Sequence, residues 1–282
     1  MPETVEISSN GASANGSGPA EREVLRLGGM ALRNGLLIHG PTSWAVAARA
    51  ANGEVEVASG PKPDFGGTRF AKVPIVRGPL RLAEAFAVIP IARRALPSAR
   101  LPFEDPRVLA AGLATTLLSS VIRGRGEEVG PVREGIVSVL GLAPALVALS
   151  GSELAAYHAV EHKAIAGYEQ DRDPTEVPKE HERCGSNLIA PMLVFSLAGQ
   201  LIVDRLIENP GRIARGVSGV AGLSLSVETF VAAERHPDSA LGRAIHASGH
   251  TIQRLIATRE PTDEQLEVGV AALAAALEAE AG

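Results

Sequence analysis

Four apolar stretches between residues 108 and 233 constrain the fold of this chain more than any other feature. They cover residues 108–122, 135–152, 187–203 and 217–233. Three of them contain almost no charged residue, and the fourth carries Glu228 near its end. Because they are apolar on every face rather than along one stripe, they favour helices surrounded by lipid; the alternative is a set of buried helices in a soluble bundle.

The composition narrows the class of protein further. Hydrophobic residues make up 45% of the 282 residues but aromatic residues only 3%, so the apolar content is mainly Ala, Leu, Val and Ile. A net charge of -5 gives no sign of a nucleic-acid partner. Cys184 is the only cysteine, which excludes an intrachain disulfide and is typical of a reducing compartment.

The arrangement of charge predicts the orientation of the chain in a membrane. Residues 1–20 lack the basic start and the apolar core of a signal peptide, so we expect 1–23 to be a disordered, cytoplasmic tail. If all four stretches cross, both termini and the loop at 158–187 share one side, and Arg and Lys are more frequent there. We therefore expect a multi-pass protein of the cytoplasmic membrane, in contact with the lipid bilayer, with the motif loop and both termini in the cytoplasm.

The regions flanking the apolar stretches show ordinary soluble patterns. Asn52-Gly53 between two β-prone runs predicts a hairpin, so residues 24–78 form a small β-containing region. Residues 79–282 are helical: Pro79 begins one helix that reaches about Leu96, and a capping box at 262–265 begins another. The sequence therefore predicts a mainly α fold, a helical membrane bundle of about four apolar helices with a C-terminal polar helical segment.

The clearest chemical motif is H-x-x-E-H at residues 158–162. His158 and His162 lie one helical turn apart on the same face, so both can bind one Zn²⁺ or another divalent cation. Glu161 lies beside them, where it could remove a proton from water activated by the metal. This is the pattern of inverted zinc peptidases, and it indicates a metal site without naming a substrate.

Such a site needs a third protein ligand. Glu228 is the preferred candidate because it lies in an apolar run, where a carboxylate usually has a partner, and Glu234 is the alternative. His181 and Cys184 also have the character of zinc ligands and could complete a closed, structural site. In the alternative in which His181 and Cys184 do not bind a structural metal, Arg183 binds an anionic group of the substrate and His181 acts as an acid or electrophile.

A second pair of histidines has the same spacing. His246 and His250 lie in a polar helix with Gly249 between them, and a solvated helix face is the expected explanation. His39 and His236 are isolated and are assigned no role.

Several motifs together resemble the YqhQ-like family of bacterial multi-pass membrane proteins. The resemblance extends over residues 26–275, and its motifs occur in the family's order. The matching segments here are Y-H-A-V-E-H-K at 157–163, Y-E at 168–169, H-E-R-C-G-S at 181–186 and T-R-E-P-T-D-E-Q-L-E-V at 258–268.

That family has no established function and is described as a predicted metal-dependent enzyme. The resemblance implies a membrane protein with a metal site; the residues that occupy the family's positions are His158, Glu161, His162, His181, Arg183, Cys184 and Glu228. Two positions depart from the family pattern, because Met30 replaces a Gln and Asn34 replaces a Glu.

Two functions follow from this sequence. The leading hypothesis is a zinc-dependent membrane hydrolase of unknown substrate, with peptide hydrolysis as the nearest analogy. In it His158, His162 and Glu228 bind the metal, Glu161 is the base, and His181 or Arg183 stabilises negative charge. The alternative is a non-catalytic membrane scaffold or binding protein, with a structural metal or none. An open fourth position at the metal distinguishes the enzyme from a scaffold with four protein ligands.

Overall fold

The computed structural model describes residues 24–66, 69–70, 72–124, 131–150, 153–208 and 210–282, without the side chains of residues 131 and 212. The tail expected at 1–23 lies outside the described residues. Within them the chain is mainly helical, with one small antiparallel sheet near the N-terminus.

The sheet is a simple meander. Its strands follow one another in space as in sequence: β1 (Gly28–Leu32), β2 (Gly35–His39), β3 (Ser43–Arg49) and β4 (Val55–Pro61). The hairpin predicted at Asn52-Gly53 is confirmed, since β3 pairs with β4 and Gly53 takes a φ of 88° in the turn between them.

Nine described helices follow the sheet. They are α1 (Arg77–Ala95), α2 (Pro106–Arg123), α3 (Pro131–Leu140), α4 (Ala143–Leu149), α5 (Glu153–Gln170), α6 (Ile189–Leu206), α7 (Arg212–Arg235), α8 (Ala240–Ile252) and α9 (Asp263–Ala281). The capping box predicted at 262–265 is present, with Thr262 and Gln265 bonded to each other's backbone. A π-helical turn, Gln253–Ala257, continues α8.

The two faces of the sheet pack against different helices. Leu36, Ile38, Ala45 and Ala47 face α5 and α9, whereas Leu37, Trp44 and Val46 face α1. This alternation follows from the two-residue period of a strand. The sheet is therefore buried between α1 on one side and the pair α5 and α9 on the other, and it holds α5 in place.

Three helical segments are long and apolar enough to cross a membrane: Val132–Leu149, Gly185–Leu206 and Ile213–Arg235. The prediction of about four such helices is therefore one too high by this criterion. The segment missing is 108–122, which forms α2. Its helix includes Arg107 and Arg123 near its two ends and four hydroxyl side chains, which lower its apolarity.

An ion-pair network joins the ends of the apolar helices that point away from the sheet. Glu134, at the start of α3, accepts two hydrogen bonds from Arg123 at the end of α2, of 2.9 and 3.0 Å. Arg215 of α7 lies 3.8 Å from Glu134 and 2.8 Å from Asp204 of α6. These ion pairs connect the α2–α3 pair of helices to the α6–α7 pair.

Candidate metal centre

The H-x-x-E-H motif lies in the middle of α5, the most enclosed helix of the chain. Ala156, Ala159, Val160 and Ala164 are almost completely buried because the sheet and α9 cover this helix. Small and branched apolar side chains allow the close packing, and the motif side chains extend on the remaining face. This packing fixes the position of the helix backbone that carries the two histidines.

The two motif histidines converge. Their ring centroids are 4.4 Å apart. Nδ1 of His158 lies 2.9 Å from the Ala257 carbonyl oxygen, and Nδ1 of His162 lies 2.6 Å from that of Lys179. Because a carbonyl oxygen can only accept, each Nδ1 carries the proton, and each Nε2 presents a lone pair. This is the tautomer, and the supporting hydrogen bond, that metal-binding histidines use.

Cys184 completes a group of three ligand atoms. Its Sγ lies 3.4 Å from Nε2 of His158, and the ligand atoms of His158, His162 and Cys184 all lie within 4.8 Å of one another. Cys184 caps a short 3₁₀ turn, Gly185–Leu188, where the Ser186 N–H points at the sulfur. Burial raises the pKa of the Cys184 thiol. A bound cation would favour its thiolate.

These residues fit a metal ion by an observation independent of the motif. Nε2 of His162 is buried and has no hydrogen-bond partner among the described residues. An unpaired nitrogen at such a position is costly unless something binds it. Two imidazole nitrogens and one thiolate form a donor set that suits zinc. Burial is the main cause that lowers the pKa of His162 to about 2, and nearby His158 also lowers it.

Glu161 lies next to this group but is not part of it. Burial is the main cause that raises the pKa of Glu161 to about 7; nearby His158 lowers the pKa and Cys184 raises it. The carboxylate reaches a cavity, as described below, and rests against Gly29 of β1. A carboxyl group with a pKa near neutrality can both accept and release a proton.

Glu228, predicted as the third ligand, is elsewhere. Its carboxylate bonds the Arg77 guanidinium, with a 2.9 Å contact from Nε, and also accepts the Ile75 N–H at 3.1 Å. The carboxylate does have a cationic partner, as expected in an apolar run, but that partner is an arginine. Glu234, the alternative, faces His246 at 3.6 Å. Of the alternative ligands, the structure brings Cys184 into the group.

His181 and Arg183 lie beside the group, bonded to a different carboxylate. The His181 ring centroid is 5.7 Å from that of His162, while its Nε2 faces Glu169 at 3.4 Å. Its Nδ1 accepts the Arg183 N–H at 3.2 Å, so both ring nitrogens are occupied. The Arg183 guanidinium pairs with Glu169. Burial lowers the pKa of His181.

A cavity of about 730 Å³ adjoins the metal ligands and Glu161. Strand β1 lines it from Gly28 to Ala31, including Met30, and Arg183 and His181 lie at its polar end. The remaining wall is mostly apolar and comes from several helices, among them Leu82, Phe86, Ile89, Leu142, Leu146, Leu149, Ile252 and Ile256. The site therefore combines a polar end with a long apolar wall.

A second, polar cavity of about 570 Å³ is lined by Glu169, Glu234 and His250, among others. Of these three residues, the sequence indicates a role only for Glu234, as an alternative metal ligand. The expected solvated face at His246 and His250 is wrong, because buried ring nitrogens of both residues lack a hydrogen-bond partner among the described residues. Gly249 allows this burial, since any side chain there would collide with Asn187. In the sequence, Gly249 between the two histidines was the feature that could have indicated close packing of this helix.

The two departures from the family pattern have different surroundings. Met30 lines the larger cavity. Asn34 holds the turn after β1: its amide donates to the carbonyl oxygens of Arg49 and Ser98, both at 2.9 Å, and its oxygen accepts the Arg100 N–H. Asn34 therefore has a structural role outside the candidate site.

Comparison with known proteins adds one finding. No curated protein and no solved structure matches the chain significantly. Residues 135–279 match a family of proteins of unknown function, DUF1385, and this match includes α5, Cys184 and α9. Since the match covers just over half of the chain, the protein belongs to the DUF1385 family.

Proposed function

We propose that this protein is a metal-dependent hydrolase of the cytoplasmic membrane. The observation that carries the proposal is the convergence of two Nε2 atoms and one Sγ atom beside an enclosed carboxyl group, at the end of a cavity. Metal ligands, a base and space for a substrate are the parts that hydrolysis requires.

The residues that would hold the metal are His158, His162 and Cys184. A zinc ion, or another divalent cation, bound there would act as a Lewis acid on a carbonyl oxygen and make water easier to deprotonate. His158 and His162 keep their lone pairs available because Ala257 and Lys179 accept their Nδ1 protons. The enclosed position of the three side chains excludes bulk water and fixes their geometry.

Three protein ligands favour an enzyme over a scaffold. Catalytic zinc sites commonly have three protein ligands and one open position, whereas structural sites have four. His181 is near enough to be considered as a fourth ligand, but its Nδ1 accepts the Arg183 N–H and its Nε2 faces Glu169 at 3.4 Å, so binding a metal ion would break one of these contacts. The three residues line the cavity, which would admit the water and the substrate.

Glu161 transfers the proton. It accepts a proton from water as the water oxygen bonds to the acyl carbon of the substrate. It then passes that proton to the leaving nitrogen or oxygen as the acyl bond breaks, so one water is consumed for each bond cleaved. Glu161 lines the same cavity as the three proposed ligands, which is the position that this transfer requires.

The resemblance to the YqhQ-like family supports a multi-pass protein, and packing indicates which helices cross. The sheet packs on α5 and on α9, so these three parts lie on the same side of any membrane. An even number of crossings must then separate the sheet from α5, and α5 from α9. Val132–Leu149 alone would give one crossing before α5. We therefore assign α2 as its partner, so that four segments cross.

The ion pairs agree with two helical hairpins. Arg123 and Glu134 lie at the turn between α2 and α3, and Asp204 and Arg215 lie at the turn between α6 and α7. In this arrangement the network is at the far membrane face, opposite the sheet and the metal ligands. The excess of Arg and Lys supports a cytoplasmic location for the sheet side.

Cobalt substitution of the full-length protein in detergent tests the metal site. We expect one Co²⁺ per chain, with a sulfur-to-cobalt charge-transfer band that disappears in Cys184→Ser. His162→Ala should lose most of the metal, while the exposed His236→Gln serves as a histidine control and keeps it. Azide should shift the cobalt spectrum, because an open position accepts a fourth ligand.

Two results would overturn the proposal. A cobalt spectrum that azide does not change would indicate four protein ligands and a structural site. Metal content that is the same in His162→Ala as in the unaltered protein would place the metal elsewhere.

A further inference from the structure

We propose that the substrate of this site is an extended, apolar polypeptide segment that pairs with the outer edge of β1. This inference rests on the hydrolase function proposed above and names its substrate class. Its basis is a set of backbone N–H and C=O groups of β1 that have no hydrogen-bond partner among the described residues.

Strand β1 pairs with β2 alone. The Gly40 N–H donates a hydrogen bond to the Ser43 oxygen, on the β3 side of β2. Successive residues of a strand direct their backbone N–H and C=O groups to opposite sides, so those of Gly35, Leu37 and His39 point toward β1. Their partners on β1 are Leu32, Met30 and Gly28. The N–H and C=O groups of the two residues between, Gly29 and Ala31, consequently point away from the sheet.

Among the described residues, nothing bonds these outward groups of Gly29 and Ala31. Both residues also line the 730 Å³ cavity. Buried backbone groups almost always have partners, and unpaired ones are costly. The edge of β1 therefore presents unpaired hydrogen-bonding groups to this cavity.

This row lies beside the chemical groups of the site. Residue 29 has no side chain, and a Cβ atom there would stand 2.8 Å from the Glu161 carboxyl carbon. A strand added to an edge lies about 4.8 Å from its neighbour. A segment paired with Gly29 and Ala31 would thus pass next to Glu161, which lies on the face of the sheet at Gly29.

The rest of the wall selects apolar side chains. Leu82, Phe86 and Ile89 of α1 face the cavity from one side, and Leu146 and Leu149 of α4 from another. Since α4 belongs to the candidate span Val132–Leu149, this wall is continuous with the surface that faces the membrane. The segment is accordingly membrane-embedded or lies next to the membrane.

The edge also decides between a polypeptide and a lipid. An acyl chain would satisfy the apolar wall but would cover the outward N–H and C=O groups of Gly29 and Ala31 with hydrocarbon, at a cost. An extended polypeptide satisfies both, because its backbone bonds the edge while its alternate side chains contact the wall.

The test measures binding without turnover. The full-length Glu161→Gln protein in detergent is titrated against a dye-labelled peptide of about seven Leu, Val and Ala residues. A series of the same peptide carries one N-methyl group at each position in turn. We expect every second N-methyl group to weaken binding about tenfold and those between to have little effect, since an edge-paired strand directs alternate N–H groups at its partner.

Other results overturn the inference. Binding that shows no two-residue period, absence of peptide binding, or binding of lauric acid in place of the peptide would each do so.

A matched pair of protein variants tests the same edge: Ala31→Pro removes an outward N–H of β1, and Ser59→Pro removes an outward N–H of the opposite edge strand, β4. Only Ala31→Pro should lower peptide affinity; equal affinity in both variants contradicts the proposal, and the peptide series decides if either variant is misfolded.

The cobalt experiment keeps this inference separate from the proposed function. A closed or missing metal site together with periodic peptide binding would end the hydrolase proposal and leave a peptide-binding edge. An open metal site without periodic binding would leave the hydrolase with another substrate class.

Discussion

Gly29 on β1 and Glu161 on α5 are in direct contact, so that no side chain fits between the strand and the carboxyl group. We predict that Gly29→Ala displaces the Glu161 carboxylate while the metal ligands stay in place. Displacement of a catalytic group by about 1 Å costs roughly 100-fold in rate. Hydrolysis of the apolar peptide should fall by about that factor with metal content unchanged. Gly112→Ala, whose Cβ meets nothing within 4 Å, is the control. A fully active Gly29→Ala protein would contradict the prediction.

His39 makes the stability of the sheet region depend on pH. Burial is the main cause that lowers its pKa to about 4, and Lys62 contributes. Between pH 6.5 and 4 the unfolded chain binds this proton and the folded chain does not, so stability is lost as pH falls through that window. The loss is at most about 3 kcal/mol. His39→Gln should flatten this dependence in unfolding experiments at several pH values.

His236→Gln is the matched control for this measurement, because His236 is an exposed histidine after α7. It should keep the dependence of the unaltered protein. A similar pH profile in the His39 and His236 variants would show that another group is responsible.

Glu134 contributes to stability through its arginine partners. Its side chain is 1% exposed and bonded twice to Arg123, with Arg215 also close. Replacement by leucine leaves Arg123 without its carboxylate, whereas Arg215 keeps Asp204. Because Arg123 is 40% exposed, we expect a loss of about 2 kcal/mol, less than for a fully buried pair. Thermal unfolding in detergent measures it. Glu208→Leu, at an exposed residue after α6, should change stability little.

Four crossings predict which residues lie on which side of the membrane. In a Cys184→Ser background, cysteines at Val132 and Glu208 should react in intact cells with a membrane-impermeant maleimide. A cysteine at Asn52, in the turn after β3, should react only after lysis. Reaction of the Val132 and Asn52 positions from the same side would rule out the α2–α4 hairpin as a crossing.

Local signals predicted much of the fold. The pairing across Asn52-Gly53, the capping box at Thr262 and the shared helical face of His158 and His162 depend on neighbours within a few residues, and all three are present. Spacing along one element fixes such features before any tertiary contact forms.

The third ligand could not be found in this way. Glu228 was expected to need a cation, and it has one, but the partner is Arg77, which is 151 residues away in the sequence. Cys184 approaches His158 because the chain between them returns to α5. No local pattern states which of several distant groups will meet a given side chain.

Burial of His246 and His250 is a similar case. Their helix, α8, has a polar sequence but packs against α7 and the turn that contains Asn187. The candidate membrane segments show a related limit of sequence reasoning. Hydropathy alone excludes α2 from the candidate spans. Only a tertiary contact, the packing of the sheet on α5 and α9, bears on whether α2 crosses.

The docking of α9 on the sheet has a consequence for biogenesis. Val268, Ala272 and Ala276 cover one face of the strands, and Glu280 holds the Thr42 and Ser43 turn. This helix is synthesised after the three candidate spans, so the strands, synthesised first, must wait for it. In the arrangement proposed above, insertion of those spans into a bilayer would therefore begin before the sheet is covered on its α9 face.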